Sequence, residues 1–269
     1  MRQYDHAGGV PFGGIASGEN KMQLKSLRPF ICTIAVGLCF QSVSAAGVIF
    51  TGSGLNSMNG NNPIAGSVEF EVSANALIVT ITNTAMSDVE VPSDVLTGAF
   101  WSMDIGASSL TRTSGLLGAG SSVFYDPDGQ PAGGVIGGEW AYKSGLSYHG
   151  AAYGISSSGL GLFGPGDVFP GPDLAPPPNP DGLNYGLLSA GDNTGTGNGG
   201  ITGSAGLIKN SVVFTLTGLP GNFTLDSISN VYLQYGTDLS EPRLTTVPEP
   251  GTIALLGLAG LVLLGRRLR

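Results

Sequence analysis

Between Gly47 and Val247 no ten-residue stretch carries an apolar stripe of period 3.6, which argues against a helical body. The apolar residues alternate instead. In residues 67–72 (SVEFEV), Val68, Phe70 and Val72 share one strand face and Ser67, Glu69 and Glu71 the other. Residues 73–76 read as a turn. Residues 77–82 (LIVTIT), rich in β-branched side chains, read as the return strand of an antiparallel hairpin. Residues 212–217 and 231–235 repeat the pattern, and 94–103, 121–125 and 137–142 are weaker strand candidates. The 45 glycines and 17 prolines cut the rest into short pieces. Many short strands between turn clusters predict an all-β fold: an antiparallel β-sandwich, jelly-roll or Ig-like, filling residues 47–246 as one domain. The Gly- and Pro-rich stretch 156–205 is expected to form long loops, because its prolines are unsuited to central strands.

Residues 1–46 read differently. Lys21, Lys25 and Arg28 precede an apolar run at 30–40, and small residues follow at 43–46 (VSAA). A charged region, a short apolar region and an A-x-A-like end make a secretory signal peptide, which implies export and removal by signal peptidase. The run of about ten residues is too short to span a bilayer that needs about 20. The preceding residues 1–21 have no apolar periodicity, so Met22 is an alternative start. Both cysteines, Cys32 and Cys39, fall inside the apolar run. The mature chain is therefore expected to hold no disulfide, thiolate metal site or cysteine nucleophile. From Gly47 to Val247, 16 acidic residues face four bases, Arg112, Lys143, Lys209 and Arg243. A surface so acidic excludes nucleic acid as a partner, since nucleic acid is bound through Lys and Arg. It suits a soluble extracellular protein.

The last 23 residues are VPEPGTIALLGLAGLVLLGRRLR. Two prolines make Val247 to Gly251 rigid and non-helical. Residues 252–265 are almost wholly apolar and read as a single short helix, and Arg266, Arg267 and Arg269 follow. Arginines of this kind stay cytoplasmic, which sets an N-out, C-in topology across the inner membrane. Pro248-Glu249-Pro250, the apolar segment and the terminal arginines together resemble the PEP-CTERM sorting signal of Gram-negative bacteria. The resemblance implies transient recognition by exosortase, a membrane-embedded cysteine transpeptidase-like protease, with Pro248, Glu249 and Pro250 as the recognition motif. It also implies association with exopolysaccharide, biofilm and the cell surface or extracellular matrix. The membrane is then a partner through the C-terminal helix before processing. The resemblance covers the tail and assigns no activity to the body.

The body offers weaker chemistry. Two segments fit G-x-G-x-x-G, residues 159–164 and 195–200. A dinucleotide site needs a helix directly after the motif, and the sequence shows none after either. Asp126-Pro127-Asp128-Gly129 spaces two carboxylates before a glycine, as calcium loops do, so Asp126 and Asp128 are candidate Ca2+ ligands. Asp167, Asp173, Asp181 and Asp192 could add to them. Asp-Gly is also an ordinary β-turn, and no other cofactor is suggested. Trp140 and Tyr142 lead an aromatic cluster with Tyr148 and Tyr153, and are candidate glycan contacts or core residues of one strand face. A hydrolase would need paired acids, such as Asp104 or Glu139 with another acid, which no feature selects, or a nucleophile served by His149, the single histidine after residue 46. No G-x-S-x-G elbow supports the second. The residues favour a non-enzymatic surface protein, with a carbohydrate- or calcium-binding module as the alternative and a secreted hydrolase after it.

Overall fold

The structure of the chain is a computed structural model, and it describes residues 47–125, 129–203 and 206–249. The expected signal peptide, the expected apolar helix at 252–265, and Asp126, Asp128, Pro250, Arg266, Arg267 and Arg269 lie outside these residues. Among the described residues no helix is long and apolar enough to cross a membrane.

The chain folds as two sheets. In order they are built from β1 (Val48–Asn56), β2 (Asn62–Ser73), β3 (Ala76–Asn83), β4 (Leu96–Ser102), β5 (Thr111–Leu117), β6 (Ser122–Phe124), β7 (Ala141–Tyr148) and β8 (Ala151–Ser156). Then come β9 (Leu187–Leu188), β10 (Leu207–Lys209), β11 (Ser211–Thr217), β12 (Ser229–Tyr235), β13 (Arg243–Thr245) and β14 (Val247–Pro248). The first sheet runs β14-β1-β2-β3-β11-β5. The second runs β13-β12-β4-β9-β10-β6, with β8 and β7 branching from β4. All pairs are antiparallel except β9 with β10. The one α-helix among the described residues, Gly199–Thr202, is four residues long.

The hairpin expected from the alternation is present, with Ser73 opposite Ala76 and Ala74-Asn75 as its turn. Val68, Phe70, Leu77, Val79 and Ile81 are fully buried, so period two decided the facing of β2 and β3. This face packs on the second sheet. The Phe70 ring meets Trp101 of β4 edge-on at 5.3 Å, and Trp140 meets Phe214 of β11 at 5.1 Å. Burying a side chain such as Phe70 contributes about 2–3 kcal/mol.

β4 explains why its strand signal was weak. Every residue from Leu96 to Trp101 is buried, on both faces. Leu160 and Phe163, from the stretch expected to form loops, pack with Phe100 on its outer face, and Leu183 and Leu188 of the same stretch pack with Val95 just before it. That stretch is therefore a packed layer, with Phe169 and Tyr185 in the main core. A second expectation is corrected at 137–142. Residues Gly137–Glu139 form a 3-10 turn, and the strand begins only at Ala141. A Cβ on Gly137 or Gly138 would collide with the carbonyl oxygens of Pro170 and Pro172, so the proline-rich segment lies directly on this backbone.

Candidate functional site

The C-terminal motif begins where the chain changes sheets. β13 pairs with β12 in the second sheet, and β14 pairs with β1 in the first. Thr246, between them, is held by its N–H and its hydroxyl, both donating to the Val231 carbonyl at 3.2 and 2.9 Å. Residues 243–249 thus lace the two sheets together along one side. In β14, Thr51 stands opposite Val247 and Phe50 opposite Pro248, and Glu249 donates its N–H to the Ile49 carbonyl at 2.8 Å.

Local sequence explains the extended path. A residue before proline is pushed out of the α region, which applies to both Val247 and Glu249. In an antiparallel ladder successive residues aim their backbone groups to opposite sides. Glu249 faces β1, so Pro248 faces away from it, at a position where its missing N–H costs no ladder bond. Gly52 and Gly54 of β1 complete the fit: a Cβ on Gly54 would come within 2.8 Å of the Leu244 side chain of β13. Of the expected recognition residues, Pro248 and Glu249 are therefore an edge strand of the folded body, with their side chains exposed.

A second polar feature lies at the opposite edge. A groove of about 710 Å³ runs between β5, the other edge of the first sheet, and β7, the outer strand of the second sheet's branch. It holds Arg112, Lys143 and Asp167. Asp167 Oδ2 lies 3.2 Å from the Lys143 ammonium, and Oδ1 lies 3.9 Å from the Arg112 guanidinium. Arg112 also donates to the Tyr142 carbonyl at 3.3 Å, and Lys143 to the Leu162 carbonyl at 2.8 Å. Both cations are satisfied from within, so this network fastens the Pro165–Asp167 turn across the open edge. Sequence reasoning passed over it, although two of the body's four bases are here.

The remaining candidates divide. Trp140 is fully buried and Tyr142 nearly so, and Trp140 Nε1 donates to the Tyr185 carbonyl at 3.1 Å. Neither ring presents a face on which a sugar could stack; they are core, the other of the two readings. Burial drives the Tyr142 phenol well above its usual pKa. Glu139 is also buried. Its Oε1 accepts the backbone N–H groups of Leu174 and Ala175, at 2.5 and 2.9 Å. Loss of water pushes its pKa up to about 7 against these two hydrogen bonds, with Asp173 and Asp181 adding repulsion. Tyr153 is raised above its usual pKa, first by burial and then by the nearby Asp104 carboxylate. His149 is exposed at φ 49° and, with Gly150, forms the two-residue turn joining β7 to β8. Asp167 is bound into the groove, Asp181 accepts from Asn184 at 3.0 Å, and Asp192 accepts from the Val89 N–H at 2.8 Å. Among the described residues no three potential ligands converge on a metal position. The second glycine motif does run into a helix, contrary to expectation. That helix is the four-residue Gly199–Thr202, capped by Asn198. One turn carries too little dipole and too few free N–H groups for a dinucleotide pyrophosphate.

A family model of the PEP-CTERM protein-sorting motif matches residues 246–269. The match starts at Thr246, the residue at which the chain changes sheets. No curated protein and no solved structure matches the chain. A motif of this kind implies processing by exosortase and, through it, export to the cell surface.

Proposed function

We propose that this chain is a non-enzymatic surface or extracellular-matrix protein of a Gram-negative bacterium, exported through its signal peptide and sorted by exosortase. Pro248, Glu249 and Pro250 are read by the enzyme, and Arg266, Arg267 and Arg269 hold the tail in the inner membrane until then. The sandwich is the cargo, and its association is with exopolysaccharide or biofilm. The observation that carries this reading is the sorting motif at residues 246–269, whose first residues form the last strand of the folded body. In this reading Glu139 and His149, around which a hydrolase would need its cleft, have structural roles: Glu139 holds a loop and His149 makes a turn.

The test is fractionation of cells with and without exosortase, probing intact cells with an antibody to the body. The reading expects the body on the surface or in the matrix only when the enzyme is present, and in the inner membrane otherwise. The same distribution in both strains would contradict it.

A further inference from the structure

Resting on the sorting reading above, we propose that the β1–β14 pairing is an autoinhibitory latch: the processing enzyme takes the motif only after residues 247–249 have peeled from Ile49–Thr51. An enzyme that reads an extended segment commonly does so through the segment's backbone groups, as an added strand does. In the docked motif those groups are engaged on the edge that faces β1. The Glu249 N–H is held by Ile49 at 2.8 Å. The β1-facing edge of a docked motif is therefore closed to an added strand, and peeling is what frees it.

The latch is thin, which lets it open without unfolding the body. Among the described residues two pairs are in register, and Val247, Pro248 and Glu249 are exposed. The chain on the body side is firmly held, because Thr246 is buried and doubly bonded to Val231. Peeling thus stops at Thr246. The motif begins at this boundary, and the apolar segment begins three residues past Glu249, at Thr252. With so little chain between body and membrane, release of β14 supplies the slack for an enzyme at the membrane surface. Three freed residues extend about 10 Å.

The experiment is a cysteine pair, Thr51→Cys with Val247→Cys, in the full chain. These residues stand opposite each other, and the body from residue 47 to 249 has no cysteine of its own to compete. The variant is expressed in exosortase-containing cells, disulfide formation is read by thiol labelling, and tail loss by intact mass. The expected result is a bridged chain that keeps its tail at least ten times longer than the Val247→Cys single variant and loses it when membranes are treated with reductant. Loss of the tail from the bridged chain at the single variant's rate would overturn the latch. So would free thiols in a folded double variant, because the strands would then not be adjacent. If the single variant also kept its tail, the sorting reading itself would fail.

Discussion

The backbone N–H of Glu249 and the carbonyl of Ile49 meet at 2.8 Å, and this bond joins the sorting motif to the first strand of the body. The first and last strands of the first sheet are thus neighbours. The described residues at the start of β1 and at the end of β14 are therefore adjacent in the first sheet.

One such bond, net of exchange with water, stabilises by about 1 kcal/mol. The Glu249 amide should therefore exchange with solvent only about five-fold more slowly than an unstructured amide. Amides of the β2–β3 ladder should exchange at rates set by global unfolding. Hydrogen exchange on the body reads both. Equal protection at Glu249 and in β2 would show that β14 does not open on its own.

Glu139 makes stability depend on pH. Its folded-state pKa is raised from 4.5 to about 7, so between these values the folded chain binds more protons than the unfolded one. The stabilising contribution is complete below about pH 4.5 and is lost as pH rises through about 7, on the order of 2–3 kcal/mol in all. Asp181 and Asp192 are raised as well and slope the same way. Glu139→Gln keeps an oxygen for the Leu174 and Ala175 N–H groups without a charge to desolvate. Denaturant titrations from pH 5 to pH 8 should show a shallower fall for this variant, and an unchanged slope would remove Glu139 as the cause.

Ala74 occupies the β2–β3 turn at φ 54°, where a Cβ is strained. Ala74→Gly should stabilise the body by about 0.5 kcal/mol, the relief of strain exceeding the added freedom of the unfolded chain. Ala74→Val, β-branched in the same position, should cost about 1–2 kcal/mol. Thermal unfolding of the two variants should move in opposite directions.

Tyr235 is fully buried, and its hydroxyl has no hydrogen-bond partner among the described residues. Tyr235→Phe removes that unpaired group and should stabilise by about 1 kcal/mol. Trp140→Phe removes a satisfied donor and ring volume from the core, and should cost about 2–3 kcal/mol. If Trp140→Phe instead left stability unchanged, its place in the core would be in doubt.

The sequence showed most where one face of a strand is wet. β2, β3, β11 and β12 stood out because Val68, Phe70, Val79 and Phe214 alternate with exposed or half-exposed neighbours. β4 was weak because it is covered on both sides. β1 was missed because Gly52 and Gly54 interrupt its pattern, and the reason for them is Leu244, almost 200 residues along the chain. Pairings such as β3 with β11 and β4 with β12 join residues about 130 apart in the chain, which no local pattern encodes. At the tail, two prolines predicted a rigid, non-helical segment. They did not reveal that the segment docks on β1, because docking depends on the partner strand. Trp140 and Tyr142 could be read as platform or core from sequence, and only burial separates the two.

The most direct test is the intact mass of the mature protein from cells with and without functional exosortase. The account predicts loss of the tail, down to a terminus near Glu249, only when the enzyme is present. A tail retained in both strains would contradict it, and residues 247–269 would then be an ordinary membrane anchor for a tethered sandwich.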